Sequence, residues 1–161
     1  MMKENLSVHI TYKEATRSME AKRLGIDNTP NDEQWGRMKL LAEKVFEPLR
    51  TYFDYPIFIW SIFRSAIVNE NTRGASKKSQ HMAENGAAMD IDADIFGGLT
   101  NKEIFDYVRK NLEFDQLIGE GMDIEDFDWI HISYNEGKNR KEVLTMVVQD
   151  GLPAYKKFKN S

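Results

Sequence analysis

The sequence predicts an α+β fold, with N-terminal helices packed on a mainly antiparallel sheet. Three observations carry that prediction. Helix caps and 3–4 spacing of apolar residues crowd the first third of the chain. Apolar alternation and β-branched runs dominate the rest. One capped helix interrupts those strands, too few for a βαβ repeat.

Taken in order, Thr11 and Glu14 match a capping box, so a short helix is expected from Tyr12. "AKRLG" reads as a second helical turn ended by Gly25. Thr29 is a candidate cap, with Pro30 at the first helical position. Trp35, Met38, Leu41, Val45, Leu49 and Phe53 then recur at steps of three and four, an amphipathic helix with Pro48 as a possible kink. "YPIFIWSIF", Tyr55 to Phe63, is aromatic and β-branched and reads as a strand. Ala66 to Gln80 is polar and reads as a long loop or broken helix. "AAMDIDAD" alternates apolar and acidic residues, a strand with one face of carboxylates. Thr100 and Glu103 form another capping box, opening a helix to about Lys110. "FDQLIGE", "WIHISY" and "EVLTMVV" read as three more strands. A loosely ordered tail is expected over 152–161, with the core over about 6–148.

The 161 residues suit one domain that buries its own core. A net charge of −4, with no basic cluster, argues against nucleic acid as partner. There is no cysteine, so any metal must use His, Asp or Glu. No run approaches a membrane span, and the first residues hold no apolar core of signal-peptide length.

Chemistry-bearing residues are few. Of three histidines, His9 has no acidic partner at a useful spacing and reads as a surface or capping residue. His131 lies mid-strand, where Trp129, His131 and Ser133 share one face and Ile130 and Ile132 the other. The isoleucines want the core, so His131 faces a less apolar side. Asp90 lies mid-strand on the acidic face of "AAMDIDAD". Neighbouring strands can set Asp90 beside His131, with His81 arriving from the preceding loop. Two imidazoles and one carboxylate leave a tetrahedral position open, the layout of a catalytic zinc site. By spacing alone, a histidine on a strand is more often a hydrogen-bonded structural residue than a metal ligand. A calcium loop is the rival for "DIDADIFGGLTN", but its sixth position is Ile95 and its twelfth Asn101. Asp92 and Asp94 are then supporting or solvated carboxylates.

Asp128 stands three residues before His131, from where a carboxylate can reach a metal-bound water if the chain bends. Alternatively it belongs to the acidic turn "DIEDFD". Glu120, ending "FDQLIGE", is the next candidate base. Arg64, following the first strand, can fork onto a substrate carboxylate or simply be solvated.

Together these segments resemble the zinc D-alanyl-D-alanine carboxypeptidase family, of the Hedgehog/DD-peptidase fold and common among phage endolysins. The resemblance runs from about Leu6 to Val148 through "VFEPLR", "FRS", "SQH", "GAAMD", "FDQLI" and "DWIHISY". It implies zinc held by His81, Asp90 and His131, a general base at Asp128 and a carboxylate-binding arginine at Arg64. The implied partner is the peptidoglycan stem peptide, cut at a peptide bond by a monomer. The implied place of action is the cell wall, after phage lysis or from a virion. A non-catalytic virion or cell-wall-binding protein on the same fold is the alternative.

The sequence departs from the family pattern around the cleft. The family usually reads H-x-x-G-x-A-x-D, whereas "AENG" adds two residues and makes the step from His81 to Asp90 nine. A bulge or a longer turn is expected there, with Asp92 as the ligand if the register has slipped instead. Ile62 replaces a usual glycine in "SIFRS", and Gly74-Ala75 replaces a usual Gly-Gly.

Overall fold

The computed structural model describes residues 4–121 and 126–159. Six strands form one sheet in the order β1-β2-β4-β3-β5-β6, with helices on one side, the α+β architecture expected. The strands are β1 (Phe58–Ser61), β2 (Ala87–Asp92), β3 (Gln116–Glu120), β4 (Trp129–Tyr134), β5 (Glu142–Gln149) and β6 (Leu152–Lys157). All neighbouring pairs are antiparallel except β3 with β5.

Local chemistry fixes the helices. Helix α1 (Tyr12–Thr16) starts at the Thr11/Glu14 capping box, and α2 (Met19–Leu24) ends at Gly25, which takes the left-handed conformation. Helix α3 (Asp32–Leu41) is capped by Asn31, with Gln34 returning the bond, rather than by Thr29. The Thr29 hydroxyl is turned onto the Asp27 carboxylate at 2.7 Å instead. No simple kink follows at Pro48. A π turn over Ala42–Phe46 widens the helix, and Pro48 falls in the first turn of α4 (Glu47–Phe53), where a missing N–H costs least. The apolar stripe Met38, Leu41, Val45, Phe46 and Leu49 is buried. It packs with Met89, Ile91, Ile130 and Ile132, the core-facing residues of β2 and β4.

Between β1 and β2 the broken-helix expectation takes a definite form. Helix α5 (Ala66–Asn71) is followed by turns and a single 3-10 turn, Gln80–Met82. Helix α6 (Asn101–Asn111) starts at the expected Thr100/Glu103 box. The segment read as a loosely ordered tail forms β6, pairing with β5 from Leu144↔Lys157 to Gln149↔Leu152. Pro153 and three lysines at 156, 157 and 159 suit an edge strand, and only its pairing with β5 makes it one. The first half of the acidic turn "DIEDFD" lies outside the described residues.

Candidate metal centre

Strand register sets Asp90 of β2 directly opposite His131 of β4. Directly opposed side chains in an antiparallel pair point to the same face. His131 Nδ1 lies 3.0 Å from Asp90 Oδ1. His81 comes from the 3-10 turn preceding β2, and its Nε2 lies 3.2 Å from Asp90 Oδ2. The two imidazole rings are 5.2 Å apart. Three N/O atoms, one from each residue, fall within 4.8 Å of one another.

The turn that delivers His81 is tied down at both ends. The Ser79 hydroxyl accepts from the His81 N–H, and the His81 carbonyl accepts from the Arg64 N–H at 2.9 Å. His81 Nδ1 donates to the Ile62 carbonyl at 2.8 Å. That bond puts the ring proton on Nδ1 and leaves Nε2 with its lone pair toward Asp90, the tautomer a metal ligand needs. Ile62, in place of the usual glycine, is buried in the core and is not among the residues with positive φ. A β-branched residue is therefore unstrained there.

The two extra residues form a turn, not a bulge in β2. Ala83 and Gly86 both take positive φ, and β2 pairs with β4 without interruption from Ala87↔Tyr134 to Ile91↔Ile130. Gly86 is required: a Cβ there would lie 2.4 Å from the Tyr134 carbonyl oxygen. The sheet's irregularity falls on β1, between Ile59 and Ser61.

Asp92 is spent elsewhere. Its carboxylate accepts from Trp60 Nε1 at 3.1 Å, Asn101 Nδ2 at 3.0 Å and the Asp94 N–H at 3.1 Å. Asn101, fully buried, also donates to the Phe127 carbonyl and accepts from the Ala93 N–H. Asn101 thus pins the end of β2 against the start of β4. The sequence signalled it only as the wrong residue for a calcium loop.

Electrostatics favour metal-binding protonation states. Burial pushes the His81 pKa down, toward the neutral imidazole. Burial works against the Asp90 charge, but His81 and His131 outweigh it and hold the carboxyl far below the ordinary range. The donor set, two imidazole nitrogens and a carboxylate oxygen all within 4.8 Å of one another, could hold a metal ion.

Around the triad opens a cleft of about 810 Å³, lined among others by Arg64, Glu120, Trp129 and Tyr155. The Arg64 guanidinium reaches Ser79 Oγ at 3.4 Å, while its buried Nε has no hydrogen-bond partner among the described residues. An unspent donor in a cleft suits an incoming carboxylate. Asp128 does not line this cleft. It lines a smaller depression with Trp60 and Asp92, which shares Asp90 and Trp129 with the cleft. His9 pairs with Glu47 at 2.6 Å on the surface, away from the site.

With this geometry in place, the family can be stated. An α+β chain with two histidines and an aspartate converging in a sheet-lined cleft has the build of a metallohydrolase. A sequence profile of the peptidase M15 family matches residues 8–133, and the chain belongs to that family. M15 peptidases are metal-dependent hydrolases, and the His81–Asp90–His131 cluster could hold their ion. No curated protein matches the chain. No helix among the described residues is long and apolar enough to cross a membrane.

Proposed function

We propose that this protein is a zinc peptidase hydrolysing a peptide bond in bacterial cell-wall stem peptides. The observation that carries the reading is the convergence of His81 Nε2 and His131 Nδ1 on the two oxygens of Asp90. His81, Asp90 and His131 would hold the zinc, leaving the fourth position open. Bound there, zinc supplies a Lewis acid for the scissile carbonyl and lowers the pKa of water to about 7. Arg64 would orient the substrate through a carboxylate, using donors the fold leaves unspent. Action at the cell wall, as a phage-type lysis or virion enzyme, belongs to the same reading. The turn that absorbs the insertion leaves Asp90 facing His131, which supports an enzyme over a non-catalytic relative.

The test is metal analysis of protein supplied with zinc, followed by digestion of muropeptides read by mass spectrometry. About one zinc per chain and one defined cleavage are expected. Protein that binds no zinc, or binds it and cuts no stem peptide, would overturn the reading.

A further inference from the structure

We infer that Glu120, with Tyr155 and Trp129 beside it, forms a subsite for an ammonium group on the residue that donates the scissile carbonyl. The inference rests on the zinc-peptidase reading above and adds the charge pattern of the substrate to it.

Register fixes which end of the cleft is which. Phe58 of β1 lies opposite Asp92 of β2, and Ser61 opposite Asp90, so β1 runs past Asp90 and away from Asp92. Arg64, three residues after Ser61, therefore lies beyond the Asp90–His131 pair on that side. Its N–H bonds the His81 carbonyl there. Strand β4 pairs Ile130 with Ile91 and His131 with Asp90, so Trp129 falls on the Asp92 side. Glu120 ends β3 directly opposite Trp129. Arg64 and Glu120 thus flank the metal ligands from opposite ends of one cleft.

The two ends differ in charge. The loops before His81 and after β4 bring Arg73, Lys78, Lys138 and Arg140 to the Arg64 end, in a chain whose net charge is −4. That gathering suits the carboxylates of a stem peptide on the leaving-amine side. None of these cations acts on Glu120; the charges that do are His131 and Asp90.

Glu120 is built to receive a cation. It is only 9% exposed, and a buried carboxylate is ordinarily paired. Among the described residues it has no Lys or Arg partner. The Tyr155 hydroxyl donates to its Oε2 at 3.3 Å, leaving Oε1 without a donor among those residues. Burial, and then the Glu120 charge, push the Tyr155 phenol up to about 12, so it stays a donor at any working pH. Trp129 stands opposite on the same sheet face, and an indole attracts a cation. Ile118 is opposite His131, so Glu120 is diagonal to it, about 7–8 Å away between Cα atoms. A residue whose carbonyl meets the metal spans that gap with its own amine, either a free N-terminus or the end of a side chain. Tyr155 lies on β6, beyond residue 133 where the family match ends, so this chain supplies part of the subsite from its own last strand.

Matched stem peptides test the inference: one with free amines, one acetylated at the N-terminus alone and one acetylated at the side-chain amine alone. Zinc-loaded wild type should prefer the free-amine peptide over one of the acetylated forms by about 10- to 100-fold in kcat/KM, the scale of a hydrogen bond to a charged group. Which acetylation costs that factor tells the N-terminus from the side chain. In Glu120→Gln the preference should collapse toward one, because the loss falls on the amine-bearing peptide. Loss of a proton carrier would instead slow all three peptides alike. Tyr155→Phe should erode the same preference by a smaller factor. Zinc-free protein titrated with these peptides in a calorimeter should rank them in the same order by Kd. An active enzyme that cuts all three peptides equally overturns this inference alone. So does a preference that survives Glu120→Gln, or a Glu120→Gln loss equal for all three. A zinc-loaded wild type that cuts none of them sinks the peptidase reading, and this inference with it.

Discussion

Two carboxylates line the same cleft and are held in opposite ways. Asp115, 2% exposed, meets a permanent cation: Arg140 donates to it through Nε and Nη2, both at 2.9 Å. The Arg140 N–H at 2.9 Å and Gln80 Nε2 at 2.8 Å complete its shell. Among the described residues Asp90 meets two imidazoles, at 3.0 and 3.2 Å. Every partner of Asp115 stays a donor across the physiological pH range. Each partner of Asp90 can give up its proton and turn a lone pair toward an ion instead. A guanidinium makes a joint that closes the structure; two imidazoles make one that accepts a metal.

The sharpest way to break this comparison is to neutralise each carboxylate in turn. Asp90→Asn should abolish stoichiometric zinc binding, while Asp115→Asn leaves about one zinc per chain, both read by elemental analysis. Loss of zinc from both variants would mean that the two carboxylates are not separate devices.

Stability should rank them the other way. Asp115→Ala strands the Arg140 N–H and Gln80 Nε2 and should cost about 2–4 kcal/mol in chemical denaturation. Asp90→Asn in zinc-free protein should cost less, since its partners can be neutral.

The pH windows should also differ. Burial raises the Asp115 pKa, but Arg140 and Gln80 outweigh it and hold the carboxyl below its ordinary value. A depressed folded pKa gives stability that is present above the unfolded value, about 3.9, and is lost as pH falls through the folded one. The stability gap between wild type and Asp115→Asn should be full at neutral pH and close below about pH 4. Zinc affinity should also fall in acid, because the imidazoles must be neutral to bind, and burial, which lowers the His81 pKa, moves the His81 share of that loss below the ordinary imidazole range.

The smallest expected effect is at Asp92. Its carboxylate already serves Trp60, Asn101 and the Asp94 N–H, so Asp92→Asn should weaken zinc on the order of 10-fold at most. A larger loss, measured by chelator competition, would place Asp92 inside the metal centre.

What could be read from the sequence was local or periodic. The Thr11/Glu14 and Thr100/Glu103 boxes involve residues three apart, so their spacing alone places α1 and α6. Period-2 alternation gave "WIHISY" its core face and its His131 face, and the structure has Ile130 and Ile132 in the core. At the start of α3 the sequence pointed to Thr29 as the cap, whereas Asn31 caps the helix and Asp27 captures the Thr29 hydroxyl. Strand β6 escaped notice because "LPAYKK" has no apolar alternation of its own and becomes a strand by pairing with β5. The parallel β3–β5 pairing and the Tyr155–Glu120 contact join segments far apart in sequence, and no local pattern encodes them. Counting residues back from His131 finds Asp128; that Glu120 lines the same cleft as His131 follows only from knowing which strand lies beside β4.

The bond from His81 Nδ1 to the Ile62 carbonyl has a consequence for evolution. Its acceptor is main chain, so any of the twenty amino acids at position 62 presents the same oxygen. A saturation library at that site would leave the histidine's tautomer untouched so long as the local backbone path survives. Position 62 can therefore change its side chain while the chemistry it supports stays fixed.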